Sequence, residues 1–292
     1  YSPEEKTLLE IIRDPGLNQK IENLERNSHY HLEIQHPKYK NILVQITHQS
    51  SLGTILFFRD ITENRKLEMI RKDFVANVSH ELRTPVSIIR ANSETLMSGG
   101  LADKEYSQTS LEGIFRNAVR MSSILEDLLE ISKIEAGKYH IVKKNTRLLP
   151  IINRAFDSLL GYAEKRITRQ CSVNDNFSLF ADEKALERIL TNLLDNAVKY
   201  SPFDGMITIT ADEKDGKSLI TIADHGHGIS KIHSERIFER FYRVDVGRSR
   251  DQGGTGLGLS IVKNLSELMS GSVHHEPNSP QGSIFVITLP TQ

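Results

Sequence analysis

Phe74-Val75-Ala76-Asn77-Val78-Ser79-His80-Glu81-Leu82-Arg83-Thr84-Pro85 places a histidine, an acid and a hydroxyl within five residues of one helix-forming stretch. His80 and Thr84 are four residues apart, so they share a helix face. Val78 and Leu82 have the same spacing and point roughly the opposite way, which leaves His80 on a solvent-facing stripe while its neighbours bury. Any one exposed histidine is most simply a solvated side chain. This one gains weight from the downstream sequence, a helical hairpin and then a nucleotide-binding pattern.

Outward from His80 the chain reads as two long helices. Leu67, Ile70, Phe74, Val78 and Leu82 recur at three- and four-residue spacing, a narrow coiled-coil-like seam. Pro85 interrupts the seam and predicts a kink just after His80, because it removes one N–H. Apolar positions resume at Val86, Ile88, Ile89 and Leu96, and Gly99-Gly100 ends the helix. Asp103 is placed to cap a second helix carrying Leu111, Ile114, Ala118, Met121, Ile124, Leu125, Leu128 and Ile131, which stops at Ala136-Gly137. One hairpin cannot cover its own seam, whereas two form a four-helix bundle, so a homodimer is expected.

Upstream, residues 1–60 read as the tail of a small α+β domain. Ser2-Pro3-Glu4-Glu5 opens a helix with Leu8, Leu9, Ile11 and Ile12 on one face, Asp14-Pro15-Gly16 breaks it, and a short helix follows near Asn18 to Leu24. Strand-like runs follow at Tyr30–Gln35, Ile42–His48 and Thr54–Asp60, with Ser50-Ser51-Leu52-Gly53 as a hairpin turn. Three strands with little helix are marginal alone, so half of the domain is expected to lie elsewhere.

Downstream, the pattern becomes α/β. Tyr139–Lys144, Ile167–Val173, Ser178–Ala181, Met206–Ala211, Ser218–Ala223, Ser272–His275 and Ser283–Leu289 read as strands. Leu149–Lys165, a helix capped by Asp182 and running to Tyr200, and Gly256–Ser270 read as helices. The glycine-punctuated stretch from Asp224 to Thr255 is non-periodic, and a loop of that length inside a compact domain is usually functional.

Composition narrows the class. The 292 residues allow two or three domains, and 37 basic against 38 acidic side chains argue against a polybasic nucleic-acid or membrane-surface binder. The single cysteine, Cys171, excludes a disulfide framework, points to a reducing compartment and reads as a small core residue. No apolar run reaches the roughly 18 residues of a membrane span, and no signal-peptide pattern is legible. Because the first residue is not Met, the chain is expected to be a fragment of something longer.

The α/β part carries three chemical elements. On the helix from Asp182, Leu186, Ile189, Leu190, Leu193, Leu194 and Ala197 form the buried face, while Asn192, Asn196 and Lys199 make a separate polar stripe. Amide oxygens suit Mg2+ and an ammonium balances phosphate, although a solvated face accounts equally well for the stripe alone. Asp224-His225-Gly226-His227-Gly228 follows a strand; the acid can accept a hydrogen bond from an exocyclic amine, and Gly226 and Gly228 let a flat ligand approach the backbone. Gly254-Thr255-Gly256-Leu257-Gly258 then opens a helix whose N-terminal amides form an anion site. Each element alone is weak, and the three in this order are not.

Together with the His80 stretch, these motifs resemble the sensor histidine kinases of two-component systems, and within them the phosphate- and cell-wall-sensing type that carries a PAS domain before the catalytic core. The likeness is strong from Asp60 to Pro290 and weak over residues 1–60. His80–Pro85 resembles the phosphoacceptor box, Asn192–Tyr200 the N box, Asp224, Gly226 and Gly228 the first glycine box, Phe238–Arg243 the F box and Gly254–Gly258 the second glycine box. His225 and His227 fill variable positions of the first glycine box, where Asn is common at the former.

The resemblance implies a multidomain α+β protein: a partial PAS-like domain over 1–60, a dimerisation and phosphotransfer hairpin over 61–137, and an α/β sandwich ATP-binding domain over 138–292. It implies ATP and Mg2+ as cofactors, with Asn196 on the metal, Asn192 close to the phosphates and Lys199 and Tyr200 on phosphate or ribose. Asp224 takes the adenine amine and Arg243 reaches the γ-phosphate from a mobile lid, which Phe238, Phe241 and Tyr242 hold in place. His80 is the phosphoacceptor, Glu81 its base, and Thr84 positions water for a phosphatase reaction. Expected partners are a response-regulator receiver domain and a second copy of the chain, with no nucleic acid. Contact with a membrane is expected only through a segment absent from this chain, the cytoplasmic portion of a membrane-anchored bacterial protein. Related hydrolytic ATPases of the gyrase and chaperone type carry a glutamate where this chain has Asn192, which cannot activate water. A non-catalytic regulator-binding scaffold is disfavoured by the presence of His80, Asn196 and Asp224.

Overall fold

The computed structural model describes residues 12, 14–23, 28–35, 39–49, 53–98, 103–160, 167–244 and 254–291. The chain divides into two units, Tyr1–Asn77 and Val78–Gln292.

In the first unit, Asp14-Pro15-Gly16 starts a helix; the helix end expected just before it falls outside the described residues. Asp14 is the N-cap of α1 (Pro15–Glu22), its carboxylate accepts from Leu17 N at 2.8 Å, and Pro15 takes the first helical position, where a missing N–H costs nothing. The helix expected over residues 2–12 falls almost wholly outside the described residues. Three strands follow as expected, β1 (Ser28–Ile34), β2 (Lys40–Gln49) and β3 (Gly53–Asp60); β2 and β3 form the expected hairpin, β1 pairs antiparallel with β2, and the 50–52 turn lies outside the described residues. Leu17, Leu32, Val44 and Ile46 form a small core under the sheet. Asp60 then accepts from Thr62 N at 3.0 Å and Thr62 Oγ1 at 2.6 Å at the entry to the next helix. Those bonds, helped by Lys40, pull the Asp60 carboxyl down to about 2.

The helix α2 (Thr62–Met97) carries the opening stretch and remains helical through Pro85, which is buried. In the second unit it is followed by α3 (Lys104–Glu135), whose N-cap Asp103 accepts from Glu105 N and Tyr106 N, as the sequence predicts. The helix ends at Ala136, and Gly137 takes a left-handed φ of 64°. Leu111, Phe115, Val119, Leu125 and Leu129 stay exposed along one side of α3, an apolar face with no cover among the described residues, and Val86 and Ile88 of α2 are exposed as well.

The segment Tyr139–Lys144, expected as a strand, has no regular structure before Lys144. Its hydrogen-bonding groups are engaged elsewhere: Val142 N donates to Asp182 Oδ2 at 2.8 Å and Lys143 Nζ to Met269 O at 2.7 Å. The strand is the next four residues, β4 (Lys144–Arg147), and α4 (Leu148–Leu160) follows directly. β5 (Thr168–Ser172), β6 (Ser178–Ala181), α5 (Glu183–Tyr200), β7 (Met206–Lys214), β8 (Lys217–Ala223), α6 (Gly258–Leu268), β9 (Ser272–Pro277) and β10 (Ser283–Pro290) complete the unit. The main sheet has the order β5-β7-β8-β10-β9, antiparallel except for the β5–β7 pair, and β4 pairs with β6 in a small second sheet. Ile207, Ile209, Ile220, Ile222, Phe285, Ile287 and Leu289 alternate along β7, β8 and β10 and bury with α4, α5 and α6 in one core. The protein is therefore α+β: a helical hairpin followed by an α/β sandwich. Among the described residues no helix is long and apolar enough to cross a membrane.

Candidate nucleotide and phosphoacceptor site

The α5 helix delivers the polar stripe. Asp182 caps it by accepting from Ala185 N at 2.9 Å, and the expected apolar face, Leu186, Ile189, Leu190, Leu193, Leu194 and Ala197, is buried. That anchorage fixes the rotation of the helix, so Asn192, Asn196 and Lys199 lie together on a half-buried side. Asn192 Nδ2 donates to Arg188 O at 3.0 Å, and Lys199 is ion-paired with Asp195 one turn earlier. A Cβ on Gly258 would lie 2.8 Å from Asn192 Oδ1, so the second glycine box packs directly against the N box.

Tyr200 ties the site together. Its carbonyl would be 2.5 Å from a Cβ on Gly226, its hydroxyl is near Gly254, and its ring meets the His227 ring edge-on at 5.3 Å. Asp224 leaves the end of β8 only 5% exposed. Its Oδ1 accepts from Gly226 N at 2.8 Å and Ser283 N at 3.2 Å; burial pushes the carboxyl upward while those two bonds oppose it. The Asp224 backbone is also gripped, its carbonyl accepting from Asn278 Nδ2 at 2.7 Å. Gly282 lies so close that a Cβ there would be 2.0 Å from the same carbonyl. Asn278 and Gly282 carried no sequence signal, because they reach the site only through the β9–β10 connection.

The second glycine box turns at Gly256, whose φ is 72° and whose carbonyl accepts from Phe241 N at 2.9 Å. Thr255 Oγ1 accepts from Leu257 N at 3.2 Å and donates to Asp127 Oδ2 at 3.2 Å. Leu257 turns its side chain fully into the core, so its part in an anion site is restricted to the backbone. The F-box residues are fixed by packing. Ile237 is buried, Phe238 meets Phe285 edge-on, His233 Nδ1 and the Tyr242 hydroxyl are 2.6 Å apart, and the Arg236 guanidinium lies over the Tyr242 ring. Residues 245–253 of the expected lid lie outside the described residues.

On α2, His80 and Thr84 are exposed and Glu81 is half-buried. The Glu81 carboxylate accepts from Arg120 Nη2 of α3 at 3.3 Å, and Arg243 Nη1 stands 4.0 Å from its other oxygen. The ATP-binding part thus meets the hairpin beside the phosphoacceptor candidate. A second seam lies lower on α3: Arg188 pairs with Asp127 and with Glu130 at 2.8 Å, and Arg240 pairs with Glu135. Burial pushes the Asp127 carboxyl upward against the pull of Arg188, and burial beside Glu130 takes Tyr139 up to about 12. Sequence reading missed Arg120, Asp127, Glu130 and Arg188, since their partners are tens of residues away and no spacing announces them.

The donor set suits the expected group. Amide oxygens of Asn192 and Asn196 are hard ligands of the kind Mg2+ takes, and Gly226 and Gly258 bring the two glycine boxes into close contact with Tyr200 and Asn192 of the N box. Among the described residues no cluster of three or more His, Cys, Asp and Glu side chains that could hold a metal ion occurs.

Residues 70–137 match the His Kinase A (phospho-acceptor) domain, and residues 181–292 match the histidine kinase-, DNA gyrase B- and HSP90-like ATPase. The sensor protein SrrB of Staphylococcus aureus strain N315 is 30% identical over 250 residues, covering 82% of this chain and 41% of the relative. The chain therefore spans about two fifths of the length of the curated relatives it matches. Full-length ShkA, solved with AMPPNP, is similar at 27% identity and a TM-score of 0.55, over 75% of this chain and 45% of that one. Histidine kinase ThkA, solved in complex with the response regulator protein TrrA, shares the fold at 22% identity and a TM-score of 0.59, over 94% of this chain and 82% of that one. With a phosphoacceptor domain around His80 and an ATPase domain around Asn196 and Asp224, the chain belongs to the sensor histidine kinases of two-component systems.

Proposed function

We propose that this chain transfers the γ-phosphoryl group of ATP to His80 and then passes it to an aspartate on the receiver domain of a response regulator. The observation that carries the reading is the approach of Arg243, at the end of the F box, to Glu81, the residue next to His80. One nitrogen of the neutral His80 ring attacks the γ-phosphorus in line, the bond to the ADP oxygen breaks, and Glu81 accepts the proton from the other ring nitrogen. Imidazole suits this role because its ordinary pKa of about 6.5 leaves it largely neutral near pH 7. Lys199 and Arg243 offset charge on the phosphates, Asn192 lies beside them, Tyr200 lines the ribose side, and Asp224 receives the adenine amine. The amides from Gly254 to Gly258 receive the phosphates at the α6 N-terminus. Mg2+ held by Asn196 would supply charge neutralisation between the phosphates.

The resulting P–N bond is labile, which fits an intermediate that hands its phosphoryl group on. The exposed Thr84 hydroxyl, one turn from His80, positions water against the regulator's phosphoaspartate, giving a phosphatase activity. The exposed apolar face of the hairpin is covered by a second copy in a four-helix bundle. The functional divisions are residues 1–60, a PAS-like sensor remnant, 61–137, the phosphotransfer hairpin, and 138–292, the ATP-binding domain. The test is a chase: the chain is labelled with γ-labelled ATP and Mg2+, freed of nucleotide, and mixed with purified receiver domains. Label moving to a receiver as a hydroxylamine-sensitive acyl phosphate is the expected result. Label that stays on the chain with every receiver overturns the transfer step.

A further inference from the structure

Glu81 is held through two different oxygens by two different elements. Its Oε2 accepts from Arg120 Nη2 at 3.3 Å, across the hairpin from α3, while its Oε1 faces Arg243 Nη1 at 4.0 Å. The two contacts are unequal: the first is a hydrogen bond with an ion pair, and the second is beyond hydrogen-bond length. Glu81 and Arg120 are both mostly buried, their side chains 18% and 19% exposed, so the pair is poorly screened and its geometry is constrained by packing. Arg120 Nε is fully buried without a hydrogen-bond partner among the described residues, as is Arg243 Nη2. A buried, incompletely bonded guanidinium is costly to keep, and a role in holding Glu81 accounts for its retention.

We infer that Arg120 is a positioning residue for phosphorylation of His80. It fixes Glu81 by Oε2 and so leaves Oε1 to take the ring proton when Arg243 departs for the γ-phosphate. Without Arg120 the carboxylate loses its hydrogen-bonded partner and becomes free to rotate away from the imidazole or to remain with Arg243. In the step itself the His80–phosphorus bond forms, the bond from phosphorus to the ADP oxygen breaks, and the proton ends on Glu81 Oε1. Arg120 touches neither ATP nor the imidazole, so its effect falls on turnover and not on nucleotide affinity. The inference rests on the reading of Glu81 as the base under the proposed function.

The experiment is a double-mutant cycle on initial autophosphorylation rates of the dimeric chain with Mg–ATP, using Arg120→Gln, Glu81→Gln and the double variant. Arg120→Gln is expected to lower kcat at least tenfold with KM for ATP within twofold of wild type, and Arg120→Lys to recover most of the loss. In the Glu81→Gln background, Arg120→Gln is expected to cost nothing further. A wild-type kcat in Arg120→Gln, a loss confined to KM, or full additivity in the double variant would each overturn the assignment. Circular dichroism checks each fold; if Arg120→Gln does not fold, the cycle is run with Arg120→Lys, whose smaller loss must likewise vanish beside Glu81→Gln. Failure of the underlying reading is distinguishable, because there the wild type takes no label or Glu81→Gln keeps the full rate.

Discussion

Arg188 of α5 pairs with the buried carboxylate of Asp127 on α3, and Asp127 in turn accepts from Thr255 of the second glycine box. One carboxylate thus joins the nucleotide-binding helix, the glycine box and the hairpin. Arg188 has a second acid, Glu130, at 2.8 Å, whereas Asp127 has no second cation within bonding distance among the described residues. Removal of either partner therefore has unequal cost. Arg188→Ala leaves a buried charge unpaired and is expected to destabilise the unit by about 2–4 kcal/mol, a value reduced for the partial exposure of the arginine. Asp127→Ala leaves Arg188 with Glu130 and is expected to cost about 1 kcal/mol. Thermal unfolding reads the difference at about 2–4 °C per kcal/mol in a unit of this size. Equal shifts for the two variants would contradict the ranking.

Gly226 tolerates no side chain. A Cβ there would lie 2.5 Å from Tyr200 O and 3.0 Å from Asp224 Oδ1, and the nearer atom is backbone. Gly226→Ala must displace Tyr200 or Asp224, at a cost of about 1–3 kcal/mol. Calorimetric titration with ADP is expected to show at least a tenfold loss of affinity while the sheet remains folded. Unchanged affinity would remove Gly226 and Asp224 from the adenine side of the site.

His275 gives the stability of the ATP-binding part an acid-side dependence. Burial holds its imidazole below the ordinary value; Ser234 Oγ lies 3.1 Å from Nδ1, and Nε2 is buried without a partner among the described residues. The unfolded chain takes up the proton near pH 6.5, and the folded chain takes it up only at lower pH. The contribution is complete above about pH 6.5 and is lost as pH falls through the folded value. Denaturant midpoints are expected to fall between pH 7.5 and 5.5, and to fall less in His275→Gln. A drop of the same size in that variant would assign the dependence to other groups.

The difference between what the sequence disclosed and what it concealed is one of range. Periodicity and local capping are written in neighbouring residues, so α2, α3 with its Asp103 cap, and the buried face of α5 were all legible. The Asn192–Asn196–Lys199 stripe followed from the same arithmetic. Asp14-Pro15-Gly16 reads as a helix stop, but the same residue types also start helices, and the Asp14 cap shows that they start one here. Tyr139–Lys144 has the alternation of a strand, but Val142 N donates to the Asp182 side chain and not to a neighbouring strand. Arg120, Arg188 and Asp127 are the extreme case. Each joins elements distant in sequence, and only the folded hairpin and sandwich bring them together.

Thr84 separates the two reactions proposed at the hairpin. It shares the exposed face of His80 and lies one turn away. Thr84→Ala is expected to slow dephosphorylation of the regulator at least tenfold while autophosphorylation of His80 stays within about threefold, within the usual range for general acid–base and water-positioning groups. Parallel time courses of both reactions on one preparation check this. An equal loss in the two would assign Thr84 to helix structure alone.

Whether His80 receives the phosphoryl group of ATP is tested most directly by incorporation of γ-labelled phosphate, with Mg2+, into the wild-type chain and into His80→Ala. The expected result is acid-labile, base-stable label on the wild type and none on His80→Ala, with circular dichroism and dimer state unchanged. Label that persists on His80→Ala, or label stable to acid on the wild type, would contradict the assignment of His80 as the phosphoacceptor.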